Sequence, residues 1–380
     1  MLMASLAAHH PEWDRFVLVA GGGAEKMAGE PFETIALEAL GLPDIAGRAF
    51  RYTVLELDTA VKPWLIGHLF GRGYDRVVYL DPDVVVYSRL AELDRDDPPF
   101  VTLTPHLTAP VAEPPYFRER SILIAGAWNL GFIAVARDPQ LDAFLEWWKG
   151  RLENECVVEP ENGLFVDQKW IDLVPGLFDR VAPLRHDGYN VAYWNLRQRR
   201  VTRDGSGAFH VNGQPLRFMH FSGFNPKAPR FVSRHDPSLK VAATGDAAPL
   251  FDAYAAALLA AGFESFRHAP NAFSHFADGS KVPDSARVAY RQSPELQREA
   301  GGDPFARPDL FRGFGERKTP LSTRVAYRSY RLLSRARPIV RLFPRFVRNA
   351  LRVRLLGRTA APPRSIAPPT QVRPDVAIAG

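Results

Sequence analysis

The chain has 380 residues, 46% hydrophobic and 24% charged, a composition typical of a soluble globular protein with a large core. Cys156 is its single cysteine, which excludes an intramolecular disulfide and a cysteine-based metal site and agrees with a cytoplasmic location. No apolar run reaches the roughly 18 residues of a membrane span, and the first residues lack the basic region of a signal peptide.

The net charge of +6 is unevenly distributed. Residues 317–358 contain thirteen Lys and Arg and no Asp or Glu, and subtracting these thirteen charges leaves −7 for the rest of the chain. The main body is therefore acidic, which argues against a nucleic-acid-binding protein.

The basic residues of segment 319–358 recur every three or four positions among apolar residues. This pattern favours a basic amphipathic helical appendage that lies on an anionic membrane surface, at the inner face of the cytoplasmic membrane. The alternative is a solvated helical pair packed on the body. The Ala- and Pro-rich residues 359–380 predict a disordered tail.

The elements predicted in chain order are helix 2–13, strand 15–20, helix 32–42, strand 51–57, helix 60–73, strands 76–80, 100–106 and 131–136, helix 139–154, strand 216–222 and helix 250–263. Strands that alternate with helices predict an α/β, Rossmann-like fold with a mostly parallel sheet flanked by helices. Helix 2–13 reads as one that follows a first strand, but no strand precedes it. The pattern weakens after residue 240, so residues 241–318 are predicted to be an extension packed on a main domain, 1–240.

The stretch RVVYLDPDVVVYS (76–88) places Asp81 and Asp83 between two runs of β-branched and aromatic residues. A strand that ends in D-x-D puts two carboxylates at the edge of a sheet where α/β proteins bind ligands. Pro82 restricts the backbone between them. Carboxylate oxygens suit Mg²⁺ or Mn²⁺. The alternative is a surface turn, in which Asp and Pro are common.

Five stretches resemble, in order, the motifs of nucleotide-sugar-dependent glycosyltransferases with the GT-A fold, specifically the family 8-like group. They are YLDPDVVVY (79–87), GAWNLGFIAV (126–135), FVDQKW (165–170), DGYNVAYWN (187–195) and MHFSGFNPKAP (219–229). The resemblance covers residues 1–235 and implies a GT-A-like catalytic domain.

The resemblance also implies roles for individual residues. Asp81, Asp83 and His220 would bind Mn²⁺ or Mg²⁺. The donor contacts would come from Lys62, Asp81, Asn129, Gly223 and Lys227. Asp167 and Gln168 would be the catalytic polar pair at the sugar.

Several of these residues have ordinary alternatives. His220 could be a satisfied histidine within a strand, Lys62 a solvated lysine, and Asp167 a helix N-cap. Lys227 departs from the family spacing by one position, because Pro226 stands where the lysine is expected.

The resulting prediction is a metal-dependent, retaining, hexosyltransferase-like enzyme of polysaccharide biosynthesis. It would move a sugar from a nucleotide donor, a UDP-sugar, to a glycan or lipid-linked acceptor by front-face attack. A metal-dependent hydrolase of nucleotide-sugars or phosphoesters is one alternative. A catalytically silent glycan- or lipid-binding protein on the same fold is the other.

Overall fold

The computed structural model describes residues 1–27, 29–112, 117–269 and 271–314. The chain divides into two units, Met1–Glu316 and Arg317–Gly380, and every described residue belongs to the first. The predicted amphipathic segment (319–358) and tail (359–380) lie outside the described residues and stay predictions. No helix in the described ranges is long and apolar enough to cross a membrane.

The described α-helices are α1 (Leu2–His9), α2 (Ile45–Arg51), α3 (Val54–Ala60), α4 (Lys62–Gly71), α5 (Phe117–Ala125), α6 (Leu141–Arg151), α7 (Gln168–Ile171), α8 (Val174–Leu177), α9 (Ala248–Ala260), α10 (Phe263–Phe266), α11 (Asp284–Gln292), α12 (Pro294–Ala300) and α13 (Pro308–Phe311).

The described strands are β1 (Phe16–Val19), β2 (Glu33–Ala36), β3 (Arg76–Leu80), β4 (Val84–Val86), β5 (Val101–Pro105), β6 (Trp128–Ala136), β7 (Val158–Glu159), β8 (Leu164–Phe165), β9 (Val181–Pro183), β10 (Val201–Arg203), β11 (Phe209–Val211), β12 (Gln214–Pro215) and β13 (Phe218–His220).

These elements confirm the α/β class, with a correction to the strand directions. The four-stranded sheet has the order β3-β6-β5-β9. β6 runs antiparallel to both β3 and β5, and β5 is parallel to β9, so this sheet is mixed rather than mostly parallel. A strand covered on both faces shows the same continuous apolar run in either direction, so the sequence pattern did not reveal this.

Two further elements differ from the sequence prediction. Residues 51–57, expected as a strand, form the end of α2 and the start of α3, because Thr53 and Glu56 make a capping box that starts a helix. Residues 32–42, expected as a helix, form β2 and a 3-10 turn, Leu37–Leu40, because β2 pairs in parallel with β1.

The core lies on both faces of β6, whose residues are buried from Asn129 to Ala136. Ile133 and Val135 point into the cluster formed with α4 and α6, which includes Leu65, Phe144 and Trp148. Phe132 and Ala134 point the other way, into the cluster formed with α1, β4 and β13. Side chains alternate along a strand, so β6 contributes to the core on both of its faces.

The residues after 240 pack against the preceding part of the chain at two places. Tyr254 of α9 stacks on Phe221, with ring centroids 3.9 Å apart. Phe50 of α2 is fully buried among Tyr290, Phe311 and neighbouring aromatic rings. These contacts attach the segment through apolar surface.

Arg287 of α11 fixes the second contact with hydrogen bonds. Its side chain is 6% exposed. It donates to the carbonyl oxygens of Ala49, Phe50 and Tyr52 at 2.9, 3.3 and 2.7 Å, and to that of Phe273 at 2.5 Å. One buried cation therefore satisfies four carbonyls, three of which lie at the junction of α2 and α3.

Replacing Arg287 with Met should leave these buried acceptors unpaired and lower the free energy of unfolding by on the order of 3 kcal/mol. Urea unfolding measures the loss. The matched control is Arg298→Met, because the Arg298 side chain is 72% exposed and, among the residues that the structure describes, forms an ion pair with Glu295 alone. The control should change stability by less than about 0.5 kcal/mol. Equal losses in the two variants would contradict the role given to Arg287.

Candidate metal centre and its surroundings

The turn between β3 and β4 carries the acidic pair, and strand pairing brings His220 to it. β4 pairs antiparallel with β13, with Val84 opposite His220. The Phe221 amide donates to the Asp83 carbonyl at 2.9 Å, which extends this register by one residue. The sheet therefore places His220 beside the acidic turn, although 137 residues separate it from Asp83 in the chain.

The three predicted ligands form one cluster. His220 Nε2 lies 2.9 Å from Asp83 Oδ1 and 3.8 Å from Asp81 Oδ2. One ligand atom from each residue lies within 4.8 Å of the other two. The structure thus brings the three predicted ligands, Asp81, Asp83 and His220, together.

The exposure of the cluster leaves one side open. The Asp81 and Asp83 side chains are 27% and 38% exposed, whereas the His220 side chain is 4% exposed. Two carboxylate oxygens and one imidazole nitrogen suit Mn²⁺ or Mg²⁺, which complete their coordination with water or substrate oxygens. The residues present fit a divalent cation, and binding itself stays a prediction.

Hydrogen bonds hold the His220 ring with Nε2 towards the carboxylates. Its Nδ1 lies 3.2 Å from Asn129 Oδ1 and 3.3 Å from Asn190 Oδ1. Both neighbours are acceptors, so Nδ1 carries the hydrogen. A metal-binding histidine needs this arrangement, because its other nitrogen must supply the lone pair.

Electrostatics couple His220 to the acidic pair. Burial disfavours the imidazolium, but the charge and hydrogen bond of Asp83, with the charge of Asp81, outweigh burial and raise the pKa of His220. Burial also acts to raise the pKa of Asp83, and the contact with His220 lowers it instead. The contact with His220 therefore favours the ionised form of Asp83.

Lys62, predicted to contact a donor, is a buried cation between two carboxylates. It is 2% exposed. Its Nζ lies 3.0 Å from Asp167 Oδ2 and 3.5 Å from Asp81 Oδ1, and donates to the Leu130 carbonyl at 2.9 Å. Burial acts to lower the pKa of Lys62, and the charges of Asp167 and Asp81 raise it. Its polar contacts are thus with the protein, and direct donor contact stays a prediction.

Asp81 is oriented from the same side. Its Oδ1 accepts from the Tyr79 hydroxyl at 2.9 Å and faces Lys62. The Lys62 ammonium in turn lies 4.6 Å from the centre of the Tyr79 ring. These contacts occupy one carboxylate oxygen and leave Oδ2 on the His220 side.

Asp167 is 1% exposed and occupies the N-cap position of α7, as its alternative held, but its side chain makes no capping hydrogen bond. Burial raises the pKa of Asp167 to about 6 against the opposing charge of Lys62. The preceding Val166 has φ 44°, a left-handed conformation that a β-branched residue rarely adopts. Such strain costs of order 1–3 kcal/mol and tends to occur at functional sites.

Gln168 and Asn129 connect α7 to β6. Gln168 Oε1 accepts from Asn129 Nδ2 and from the Leu130 amide, both at 3.2 Å, and its Nε2 donates to the Ala125 carbonyl at 2.8 Å. Gln168 is 6% exposed and Asn129 is 8% exposed. The structure places both beside the cluster as buried connectors, and the predicted sugar contacts and catalytic roles of Asp167, Gln168 and Asn129 stay predictions.

Gly131 of β6 lies directly against His220. A Cβ atom there would stand 2.3 Å from His220 Cε1 and 2.8 Å from Asn129 Oδ1. Only glycine lets the histidine ring lie flat against the strand.

Gly223 and Lys227 contact different neighbours. Gly223 has φ 69°, and a Cβ atom there would meet His235 at 2.5 Å. Lys227 Nζ pairs with Glu264 at 2.7 Å, and its side chain is 46% exposed. Diphosphate contact by these two residues stays a prediction.

Three residues of the site were missed by the sequence analysis: Thr104, His106 and Asn190. Asn190 is fully buried at φ 53°, and its Nδ2 donates to Thr104 Oγ1 and to Asn129 Oδ1, both at 3.1 Å. Burial lowers the pKa of His106 to about 4, so this ring is neutral. Its Nε2 faces Asn129 Nδ2 at 3.4 Å. The YN dipeptide at 189–190 lies in one of the five matching stretches, but its partners Thr104 and Asn129 cannot be read from the local sequence.

No family model matches the chain. Two relatives from Bacillus subtilis (strain 168) are similar, and both are described as uncharacterized proteins. YfnF is 30% identical over 153 residues, which is 40% of this chain and 50% of that protein. YfnD is 25% identical over 232 residues, which is 59% of this chain and 72% of that protein. The chain thus spans about half the length of YfnF.

Two solved structures are also similar. One is a glycosyltransferase involved in the glycosylation of the major capsid of PBCV-1, with a TM-score of 0.34, 14% identity, and coverage of 56% of this chain and 94% of that one. The other is the galactosyltransferase LgtC with donor and acceptor sugar analogues, with a TM-score of 0.38, 20% identity, and coverage of 67% and 89%. Both TM-scores lie below 0.5.

Replacing Lys62 with Met should leave Asp167 buried without a counter-charge and cost about 3–5 kcal/mol at pH 7. Adding Asp167→Asn should recover much of that loss. Because the pKa of Asp167 is raised above its unfolded value of about 3.9, protonation relieves the buried charge, and the loss in the single variant should shrink between pH 7 and pH 5. Urea unfolding at both pH values measures this. A loss that is independent of pH and of Asp167 would contradict the pairing.

Replacing Asn190 with Gly should weaken Mn²⁺ binding by roughly 10- to 100-fold, because the ring of His220 loses one of the acceptors that orient it. Glycine accepts the left-handed backbone, so strain does not confuse the result. Asn212→Gly is the matched control, since Asn212 has φ 50° in the exposed turn between β11 and β12. Electron paramagnetic resonance of free Mn²⁺ gives both affinities. Equal affinities in the two variants would refute the role of Asn190.

Proposed function

We propose that this chain is a metal-dependent glycosyltransferase that uses a nucleotide-sugar donor. The observation that carries the proposal is the Asp81–Asp83–His220 cluster, with two solvent-open carboxylates beside an imidazole whose Nε2 faces them. Such a set holds a divalent cation that in turn holds substrate phosphates. The ordered motif resemblance supports the same conclusion.

The chemistry follows from the charge that develops in the reaction. A nucleoside diphosphate leaves with growing negative charge as the glycosidic bond breaks, and a bound divalent cation stabilises that charge as a Lewis acid. Asp81 and Asp83 would hold the cation at the open side, and His220 would hold it from the protein interior. The amides of Asn129 and Asn190 keep His220 in the tautomer that this requires.

We propose further that the donor is a UDP-sugar, that the anomeric configuration is retained, and that the acceptor is a glycan or a lipid-linked glycan. Asp167 and Gln168 are both buried, so neither of them presents an exposed nucleophile to a donor at the cluster. This supports front-face attack, in which the leaving phosphate accepts the acceptor proton, over double displacement. Membership of the family 8-like group belongs to the same proposal.

Incubating the protein with a panel of nucleotide-sugars and Mn²⁺ tests the function. We expect slow hydrolysis of one donor, faster turnover with an acceptor extract, and a loss of about 100-fold or more in Asp83→Asn. The control is Asp142→Asn, which removes an exposed carboxylate of α6. Fast hydrolysis that no acceptor alters would identify a hydrolase instead. No donor binding in calorimetry would identify a catalytically silent protein.

A further inference from the structure

A groove of about 1230 Å³ lies between β1 and β3. Every residue of both strands lines it, together with Leu2 and Leu6 of α1. All four residues of β1, Phe-Val-Leu-Val, are only half-buried, although such a run is typical of a strand covered on both faces. The groove therefore leaves apolar surface exposed at the place where the two strands face each other.

The backbone of β1 presents one unpaired edge to this groove. β1 pairs in parallel with β2, and the Glu33 amide donates to the Arg15 carbonyl at 2.9 Å. In a parallel ladder alternate residues of a strand bond to the same neighbour, so Val17 and Val19 face β2. The amides and carbonyls of Phe16 and Leu18 consequently point away from β2.

The backbone of β3 presents the opposite edge. The Arg137 amide donates to the Asp75 carbonyl at 2.8 Å, and the Asp81 amide donates to the Gly131 carbonyl at 3.0 Å. These bonds assign the residues between them, Val77 and Tyr79, to the β6 side. Residues 76, 78 and 80 therefore direct their amides and carbonyls towards the groove. Within the described ranges each of the two strands pairs along one edge only.

The two edges run in the same direction. Phe16, at the start of β1, packs edge-on against Tyr74, which precedes β3, with centroids 5.6 Å apart. The Tyr74 hydroxyl donates to Asp14 at 2.7 Å at the same end. Two parallel edges with free donors and acceptors and apolar side chains between them match one chemical object, a peptide strand.

The position of α1 indicates which strand this is. Met1 and Leu2 line the groove together with Pro82, which follows β3. Ser5 of α1 accepts a hydrogen bond from the Val86 amide at 3.1 Å, which fixes the helix at this end of the sheet. A chain that leads directly into α1 would thus leave the groove at the ends of β1 and β3, and so would run parallel to both, as in a β-α-β unit.

We propose that the groove holds an additional β-strand formed by the residues that directly precede Met1 in a longer form of this chain. The strand would be continuously apolar, because it would lie between two strands and under α1 and α4. The proposal is independent of the proposed function.

Amide hydrogen exchange tests the proposal residue by residue. The 380-residue chain is compared with the same chain extended by the residues that the in-frame codons upstream of Met1 encode in its gene. In the extended protein the amides of Phe16, Leu18, Val78 and Leu80 should exchange about 100-fold more slowly or better. The amides of Val17, Val19, Val77 and Tyr79, which already bond to neighbouring strands, should change far less.

A second extended protein, in which the apolar residues of the extension are replaced by serine, is the control and should exchange like the 380-residue chain. Equal exchange rates in the extended protein and the 380-residue chain would overturn the proposal, as would an upstream reading frame that encodes no apolar run. Slow exchange of the four amides in the 380-residue chain would also overturn it. That result would assign the groove to segment 317–380 or, if the rates depend on protein concentration, to a second copy.

Discussion

The arrangement of the site depends on one buried cation. Lys62 is the first residue of α4, and its ammonium contacts Asp81 at the end of β3, Asp167 at the start of α7, and the Leu130 carbonyl of β6. The buried Asp167 carboxylate would be costly to leave ionised without a cation beside it, and Asp81 on the other side of Lys62 would repel it. Four elements from distant parts of the chain therefore meet at a single charge.

The site has a closed side and an open side. On the closed side amide groups and one neutral histidine satisfy one another, so that Asn129, Asn190 and Gln168 have their polar atoms in use. On the open side Asp81 Oδ2 and the Asp83 carboxylate remain accessible. Buried networks of this kind are rigid when every member has a partner. The open carboxylates thus stand on a fixed support, as the proposed binding of a cation and a diphosphate would require.

Much of the site could be predicted from the sequence, because its residues lie in short stretches with local chemistry. The D-P-D turn after an apolar strand located Asp81 and Asp83, and the order of the later stretches supplied His220. The role of Lys62 could not be predicted, because its burial depends on carboxylates 19 and 105 residues away. The contacts of Asn190 could not be predicted for the same reason, because its partners Thr104 and Asn129 are distant from it in the sequence.

The fold class could be predicted from the sequence, but the directions of the strands in the sheet could not. Apolar runs located β1, β3, β5 and β6, whereas the antiparallel course of β6 is set by its pairing and leaves no mark on its composition. At residues 51–57 the β-branched residues suggested a strand, but the capping box of Thr53 and Glu56 is a local signal for a helix and prevailed.

Gly131 has a consequence for the genetics of this protein. Every missense change at its codon adds at least a Cβ atom that would clash with the His220 ring, so alleles at this position should displace that ring from Asp81 and Asp83 while all three residues of the cluster remain encoded.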